Sequence, residues 1–159
     1  MPTPTAQRIT PFLWFDRNAE EAVDRYISIF GGSKGKVTRY GDGAPMPKGT
    51  VMTVEFELLG QRLVALNGGP QYKFTEAVSF AVSCESQAEI DRYWDALLAG
   101  GGKTQACGWL KDKFGLSWQV VPANIVELMT GPNAGKVTAA LWQMVKLDVG
   151  VLEAAARGK

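Results

Sequence analysis

Trp109-Leu-Lys-Asp-Lys-Phe-Gly-Leu-Ser-Trp-Gln-Val-Val-Pro122 is the stretch on which the fold of this chain turns. Asp112 and Gly115 are turn formers, and leucine, β-branched and aromatic residues suited to strands flank them, so the stretch reads as a hairpin. Its arms are expected at Thr104–Lys111 and Leu116–Val121. The second arm carries Gln119 between Trp118 and Val120, which sets one amide among apolar neighbours.

Upstream of the hairpin, Ser86 offers a helix N-cap with Glu89 at the reciprocal position, and Ile90, Tyr93, Trp94, Leu97 and Leu98 recur at helical spacing. Gly100-Gly-Gly102 stops that helix. The strand before it, Ser79-Phe-Ala-Val-Ser-Cys-Glu-Ser86, echoes an earlier segment, Pro11-Phe-Leu-Trp-Phe-Asp-Arg-Asn18. Asn18 stands in the N-cap position with Glu21 behind it, followed by Ala22, Val23, Tyr26, Ile27 and Phe30, and Gly31-Gly32 stops the helix. Both helices carry Asp-Arg-Tyr, one residue out of step with the strand alignment. The chain is therefore a tandem repeat with a small insertion.

Between the copies, 36–40 reads as a strand, 41–49 as a Gly- and Pro-rich loop, and Thr50–Leu59 as a strand with Met52, Val54, Phe56 and Leu58 on its apolar side. Thr53, Glu55 and Glu57 are on the other side. A turn at Gly60-Gln61 leads into Arg62–Leu66, and Asn67-Gly-Gly-Pro70 closes the first copy. The tail after Pro122 has helical spacing around Ile125, Val137 and Val149 and reads as two or three helices without a counterpart in the first half. The expected fold class is α+β: two tandem βαβββ-type modules, about 8–70 and 76–122, forming a curved mixed-sheet cup with outer helices, plus a helical C-terminal tail over 123–159.

Composition narrows the chemistry. A chain of 159 residues, 46% hydrophobic and 21% charged, is a soluble globular domain with enough length for a core. A net charge of +1 without basic runs gives no reason to expect nucleic acid as partner. No apolar run reaches membrane length, and the N-terminus lacks a signal peptide's apolar segment, so no membrane partner and a cytoplasmic location are expected. Histidine is absent altogether, which removes Ser-His-Asp and Cys-His catalysis and the commonest transition-metal ligand. Cys84 and Cys107 have no metal-type spacing.

The repeat resembles the vicinal oxygen chelate superfamily, which contains glyoxalase I, extradiol dioxygenases and bleomycin-resistance proteins. Pro11-Phe-Leu-Trp-Phe, Ala19-Glu-Glu, Asn67-Gly-Gly-Pro, Ser79-Phe, Cys84 with Gln87, Tyr93-Trp-Asp, Cys107-Gly-Trp-Leu-Lys-Asp, Phe114-Gly, Ser117-Trp-Gln and Val121-Pro look like its PhnB-like branch. That branch is also labelled 3-demethylubiquinone-9 3-methyltransferase-like. The resemblance implies a cup whose enzymes hold one divalent metal by the first and last strands of each module. Carried onto this chain, those positions fall at Pro11, near Leu63, at Ser79 and at Gln119, a set without carboxylate or imidazole donors. The metal site is expected to be lost, and no cofactor is expected. A homodimer is implied as common in the superfamily.

Several residues could form a ligand site. Strand alternation from Ser79 and Gln119 puts Ala81, Ser83, Ser117 and Val121 on the cup surface and Phe80, Val82, Trp118 and Val120 under the helices. Gln119 either presents its amide to a ligand or bonds to neighbouring backbone in a filled core. Glu55 is the candidate general base, its carboxyl expected to be raised by burial; the alternative is a solvated carboxylate on an open sheet face. Cys107, read in a strand ahead of Trp109, either lines the cup or is a small buried thiol. Phe15 and Trp109 are the expected pocket walls, and Leu63 and Asn67 complete the expected ligand-binding set with Ser79, Cys107 and Gln119.

Three functions remain. The first is a metal-free protein that binds a small molecule in the sheet cup, comparable in mode to bleomycin-resistance proteins. The second is a lyase, isomerase or dioxygenase of the superfamily with an atypical site. The third is the S-adenosylmethionine-dependent methyltransferase of the branch label; it is disfavoured because Gly100–Gly102 follows a helix and Gly41-Asp-Gly43 precedes none, whereas that cofactor usually sits on a glycine-rich turn after a strand.

Overall fold

The computed structural model describes residues 7–159. The chain divides between Lys73 and Phe74 into two compact units, each with one four-stranded mixed sheet.

The first unit runs β1 (Phe12–Phe15), α1 (Ala19–Phe30), β2 (Ser33–Arg39), β3 (Val51–Leu58) and β4 (Gln61–Asn67). Its strand order is β1-β4-β3-β2, with β1 parallel to β4 and the other neighbours antiparallel. Alternation sorts the sheet into two faces. Leu13 and Phe15 of β1, Val54, Phe56 and Leu58 of β3, and Leu63 and Ala65 of β4 are buried on the α1 side, where Ala22, Val23, Tyr26 and Phe30 meet them. Phe12, Glu55, Glu57, Arg62 and Val64 lie on the opposite face by register, and no helix of this unit covers that face.

Two local readings need correction. The β3–β4 turn is Leu59-Gly60, because Leu58 pairs with Gln61; both turn residues take positive φ, 48° and 83°, the two-residue hairpin geometry that matches strand twist. At the start of α1, the Asn18 side chain makes no capping bond, since its backbone (φ −115°, ψ 27°) is not the extended form that aims a side chain at the helix. The Ala19 N–H instead donates to Asn67 Oδ1 at 2.9 Å, and Asn67 Nδ2 donates to the Val51 carbonyl at 3.1 Å. The cap thus arrives from 48 residues away.

The second unit repeats the plan: β5 (Ser79–Cys84), α2 (Gln87–Leu98), β6 (Lys103–Thr104), β7 (Trp109–Lys111) and β8 (Ser117–Pro122), in the order β5-β8-β7-β6. Here the expected cap is present: Ser86 Oγ accepts from the Glu89 N–H at 3.2 Å. Glu89 Oε2 accepts in return from Glu85 N, one residue ahead of the usual partner. The hairpin closes as Trp109↔Gln119, Leu110↔Trp118 and Lys111↔Ser117. Its turn is organised by Asp112, which is 4% exposed: Oδ1 accepts from the Phe114 and Leu116 N–H groups and Oδ2 from the Trp118 indole at 2.9 Å. The arm expected to run unbroken from Thr104 to Lys111 is interrupted. Cys107 (φ 62°) and Gly108 (φ 80°) are left-handed, which no strand tolerates, and their N–H groups donate to the Met144 and Val145 carbonyls.

The tail forms three helices, α3 (Ile125–Thr130), α4 (Ala134–Trp142) and α5 (Val149–Ala156). Val137, Leu147, Leu152 and Ala155 make its core, against which Val121, Ile125, Leu128, Met129, Leu141 and Met144 pack. The tail therefore docks where β8 ends. Gln87 fastens it from α2, donating to the Leu147 carbonyl at 3.0 Å and accepting from the Val149 N–H at 2.8 Å.

Candidate functional site

Each unit presents one sheet face opposite its helix, and the expected site residues divide according to that face. In the first unit the open face borders a cavity of about 460 Å³, lined among others by Thr10, Phe12, Glu55, Glu57, Arg62 and Val64. Glu55 stands there as expected but is exposed, so the buried setting assumed for a general base is not present. Glu57 faces Arg62 across the strands at 3.8 Å.

Phe15 is not a wall of this cavity. It is 3% exposed and belongs to the core beneath α1, whereas Phe12, 61% exposed, is the aromatic on the open face. Leu63 is 3% exposed and belongs to the core, yet it also lines the cavity, between Arg62 and Val64 of the open face. The side taken by each of these residues has one origin. A strand read one residue out of register sends every side chain to the other face. Asn67 is 5% exposed with its amide committed to Ala19 and Val51, which makes it a structural clamp between β4, α1 and β3. Gly68 follows because a Cβ there would lie 2.3 Å from the Trp14 ring, whose indole N–H donates to the Gly69 carbonyl.

In the second unit most of the expected alternation is observed: Val82, Trp118 and Val120 are buried, and Ser79, Ala81, Ser83 and Gln119 are at least partly open, but Ser117, expected on the cup surface, is fully buried and Phe80, expected under the helices, is only half-buried. Ser79 and Gln119 meet, with Gln119 Nε2 donating to Ser79 Oγ at 2.9 Å. Trp109 pairs beside Gln119 on the same face. Cys107 leaves the sheet in the left-handed turn before Trp109 and is not the strand residue expected. Two residues not expected at the site, Lys111 and Glu76, join this face. Lys111 bonds Glu76 at 2.6 Å, and Glu76 also accepts from Gln105 Nε2 at 3.0 Å. These contacts, the one to Lys111 foremost, hold the Glu76 carboxyl down to about 2. Lys111 falls in the Cys107–Asp112 motif but Glu76 falls in none, and their contact depends on the turn at Thr75–Val78 that precedes β5.

The internal repeat can now be aligned by strand register. Phe15 pairs with Asn67 and Cys84 with Pro122, so Val64 corresponds to Gln119, and Thr10 corresponds to Ser79. The inherited metal positions are Thr10 and Val64 in the first unit and Ser79 and Gln119 in the second. Thr10 and Val64 replace the sequence-based Pro11 and Leu63. A valine has no donor, and two hydroxyls and an amide lack the anionic or imidazole ligands that a catalytic divalent ion needs, so these residues do not fit the metal. Among the described residues no group of three or more His, Cys, Asp and Glu side chains gathers. No helix among the described residues is long and apolar enough to cross a membrane.

A PhnB protein structure from Bacillus cereus, carrying a 3-demethylubiquinone-9 3-methyltransferase description, is 35% identical; the match covers 72% of this chain and 99% of that one, with a TM-score of 0.65. A Pseudomonas aeruginosa protein is 26% identical over 74% of this chain and 98% of its own, at 0.60. The fosfomycin resistance protein FosX from Mesorhizobium loti shares the fold at 12% identity, covering 77% and 95% of the two chains with a TM-score of 0.53. No curated protein matches. The family model for 3-demethylubiquinone-9 3-methyltransferase matches residues 7–121, up to the end of β8 and short of the helical tail. The chain belongs to this PhnB-like family.

Proposed function

We propose that the protein binds a small organic molecule on the open faces of its sheets without a catalytic metal, in the manner of a sequestering or carrier protein of the glyoxalase/bleomycin-resistance fold. The observation that carries this reading is the composition of those faces. The positions where the superfamily places metal ligands hold Thr10 and Val64 in the first unit, beside exposed Phe12 and a cavity of ligand size, and Ser79 and Gln119 in the second, beside half-buried Trp109. Aromatic walls with a few hydrogen-bonding groups suit recognition of an organic ligand better than activation of oxygen or water. A homodimer is part of the proposal, as is a cytoplasmic setting.

Thermal unfolding against a panel of neutral, cationic and anionic aromatic compounds tests the reading. Saturable stabilisation by at least one organic compound, weakened in Gln119→Ala and Phe12→Ala, is expected. A panel in which no organic compound raises the melting temperature overturns it.

A metal-free acid–base enzyme is the second reading, supported by Glu55, which borders the cavity without an ion-pair partner among the described residues. Turnover that survives unchanged in Glu55→Gln excludes it. The methyltransferase named by the family lacks support in the topology: both sheets are mixed four-stranded units, and Gly100–Gly102 follows α2 as the sequence indicated.

A further inference from the structure

The open face of the second unit is more specific in its chemistry than a generic apolar pocket. Across the strands one row reads Lys103, Lys111, Ser117, Ser79, and the next row on the same face includes Trp109, Gln119 and Ala81. Two ammonium groups and two hydroxyls thus stand in line, with an indole and an amide beside them. The Ser117 hydroxyl is fully buried and has no hydrogen-bond partner, an exception that calls for a missing one. Onto this face the chain folds a carboxylate of its own. Glu76, in the turn Thr75–Val78 just before β5, reaches Lys111 Nζ at 2.6 Å and Gln105 Nε2 at 3.0 Å through the same oxygen.

A carboxylate held by an ammonium and an amide, on a face whose strand register sets an indole and a buried, unsatisfied hydroxyl in neighbouring positions, is an arrangement suited to recognising an aromatic acid. We propose that Glu76 occupies the place of a ligand's carboxylate, and that the second unit's open face takes a small aromatic carboxylic acid whose carboxylate displaces Glu76 from Lys111 and Gln105. The inference rests on the small-molecule-binding reading and narrows it to one chemical class. Glu76 is then an intramolecular competitor: while it is in place, the binding-competent fraction of the protein is reduced and the apparent affinity falls in proportion. The pair is half-exposed, so releasing it is not opposed by a large desolvation of either group.

Calorimetric titration with sodium benzoate and with neutral, isosteric benzamide provides the test. Wild-type protein is expected to bind benzoate and to discriminate against benzamide. Glu76→Gln, which leaves a bulk-matched amide without the charge, is expected to tighten benzoate binding by about tenfold if Glu76 is in place nine-tenths of the time. Lys111→Met is expected to abolish binding, and Gln105→Ala, a milder change that keeps the sheet intact should Lys111→Met fail to fold, to weaken it. Benzoate affinity that is unchanged or lower in Glu76→Gln overturns the proposal. So does benzamide binding as tightly as benzoate; if that binding is lost in Gln119→Ala, the broader small-molecule reading survives. Absence of benzoate binding in both wild type and Glu76→Gln also overturns it, while the wider panel decides the broader reading separately.

Discussion

Asp112 and Asn67 show how much of this structure rests on single buried polar side chains. Asp112 sits at the mouth of the β7–β8 turn and uses both oxygens, accepting from two backbone N–H groups and from the Trp118 indole. An aspartate suits this site because it is an acceptor at both ends, whereas an asparagine offers a donor at one of them. Asp112→Asn turns one of these contacts into a donor–donor clash within a buried site. It is expected to lower stability by about 2–3 kcal/mol, within the range for a buried unsatisfied group together with a lost charge-assisted bond. Urea denaturation monitored by tryptophan fluorescence measures it, and a loss below 1 kcal/mol, roughly the worth of one ordinary hydrogen bond, contradicts the assigned network. The turn itself was legible, because Asp112 and Gly115 are the residues such a turn requires. Asn67 was not: a side chain that caps a helix 48 residues upstream leaves no local pattern, and the nearby Asn18 offered a more obvious candidate.

Element by element, what could be read depended on periodicity. The apolar faces of α1 and α2, most of the face assignment of β5 and β8, and a tail of two or three helices follow from spacing alone. The one-residue slip between Pro11 and Thr10, and between Leu63 and Val64, escaped because β1 and β4 are apolar on both sides, so alternation cannot fix their phase. The break at Cys107 is imposed by the tail, whose carbonyls at Met144 and Val145 take the N–H groups of Cys107 and Gly108; no local signal reports it. The tail in turn depends on its latch to α2, where Lys146 bonds Asp91 at 2.8 Å beside the Gln87 clamp. Lys146, and after it Gln87, hold the Asp91 carboxyl below its ordinary value of 3.8, and Asp91 raises the Lys146 ammonium above 10.5. The depressed carboxylate contributes stability above 3.8 that is lost as pH falls through its lowered value. The raised ammonium contributes stability below 10.5 that is lost as pH rises through its higher value. Attachment of the tail is therefore expected to be strongest between these limits. Hydrogen exchange of the 144–149 amides, corrected for intrinsic rates, is expected to quicken at acid pH in the wild type. In Lys146→Met it is expected to be fast already at neutral pH and nearly independent of acidification. Equal protection in the two proteins at neutral pH counts against the latch.

For the whole molecule, the decisive property is the inventory of groups able to hold a divalent metal. Histidine is absent from the entire chain, so softer metals must look to the thiols. Cys84 is buried and its thiol is pushed up to about 11, first by desolvation, so its ligand form is strongly disfavoured near neutral pH. Cys107 belongs to no group of three or more His, Cys, Asp and Glu side chains among the described residues. Harder metals need carboxylates, and the register-matched positions supply none: Thr10 and Val64 in one unit, Ser79 and Gln119 in the other. Converting Gln119 to glutamate adds a single anionic donor beside one hydroxyl, that of Ser79, to which residue 119 is already bonded. Neither wild type nor Gln119→Glu is therefore expected to show a saturable rise in melting temperature with Mn(II), Ni(II), Zn(II) or Fe(II), and elemental analysis of protein purified without chelators is expected to find metal well below stoichiometric. Stoichiometric metal in the wild type, or a saturable stabilisation by one of these ions that disappears in Ser79→Ala, would show that the open faces retain the metal chemistry of the superfamily through donors other than those the strand register places there.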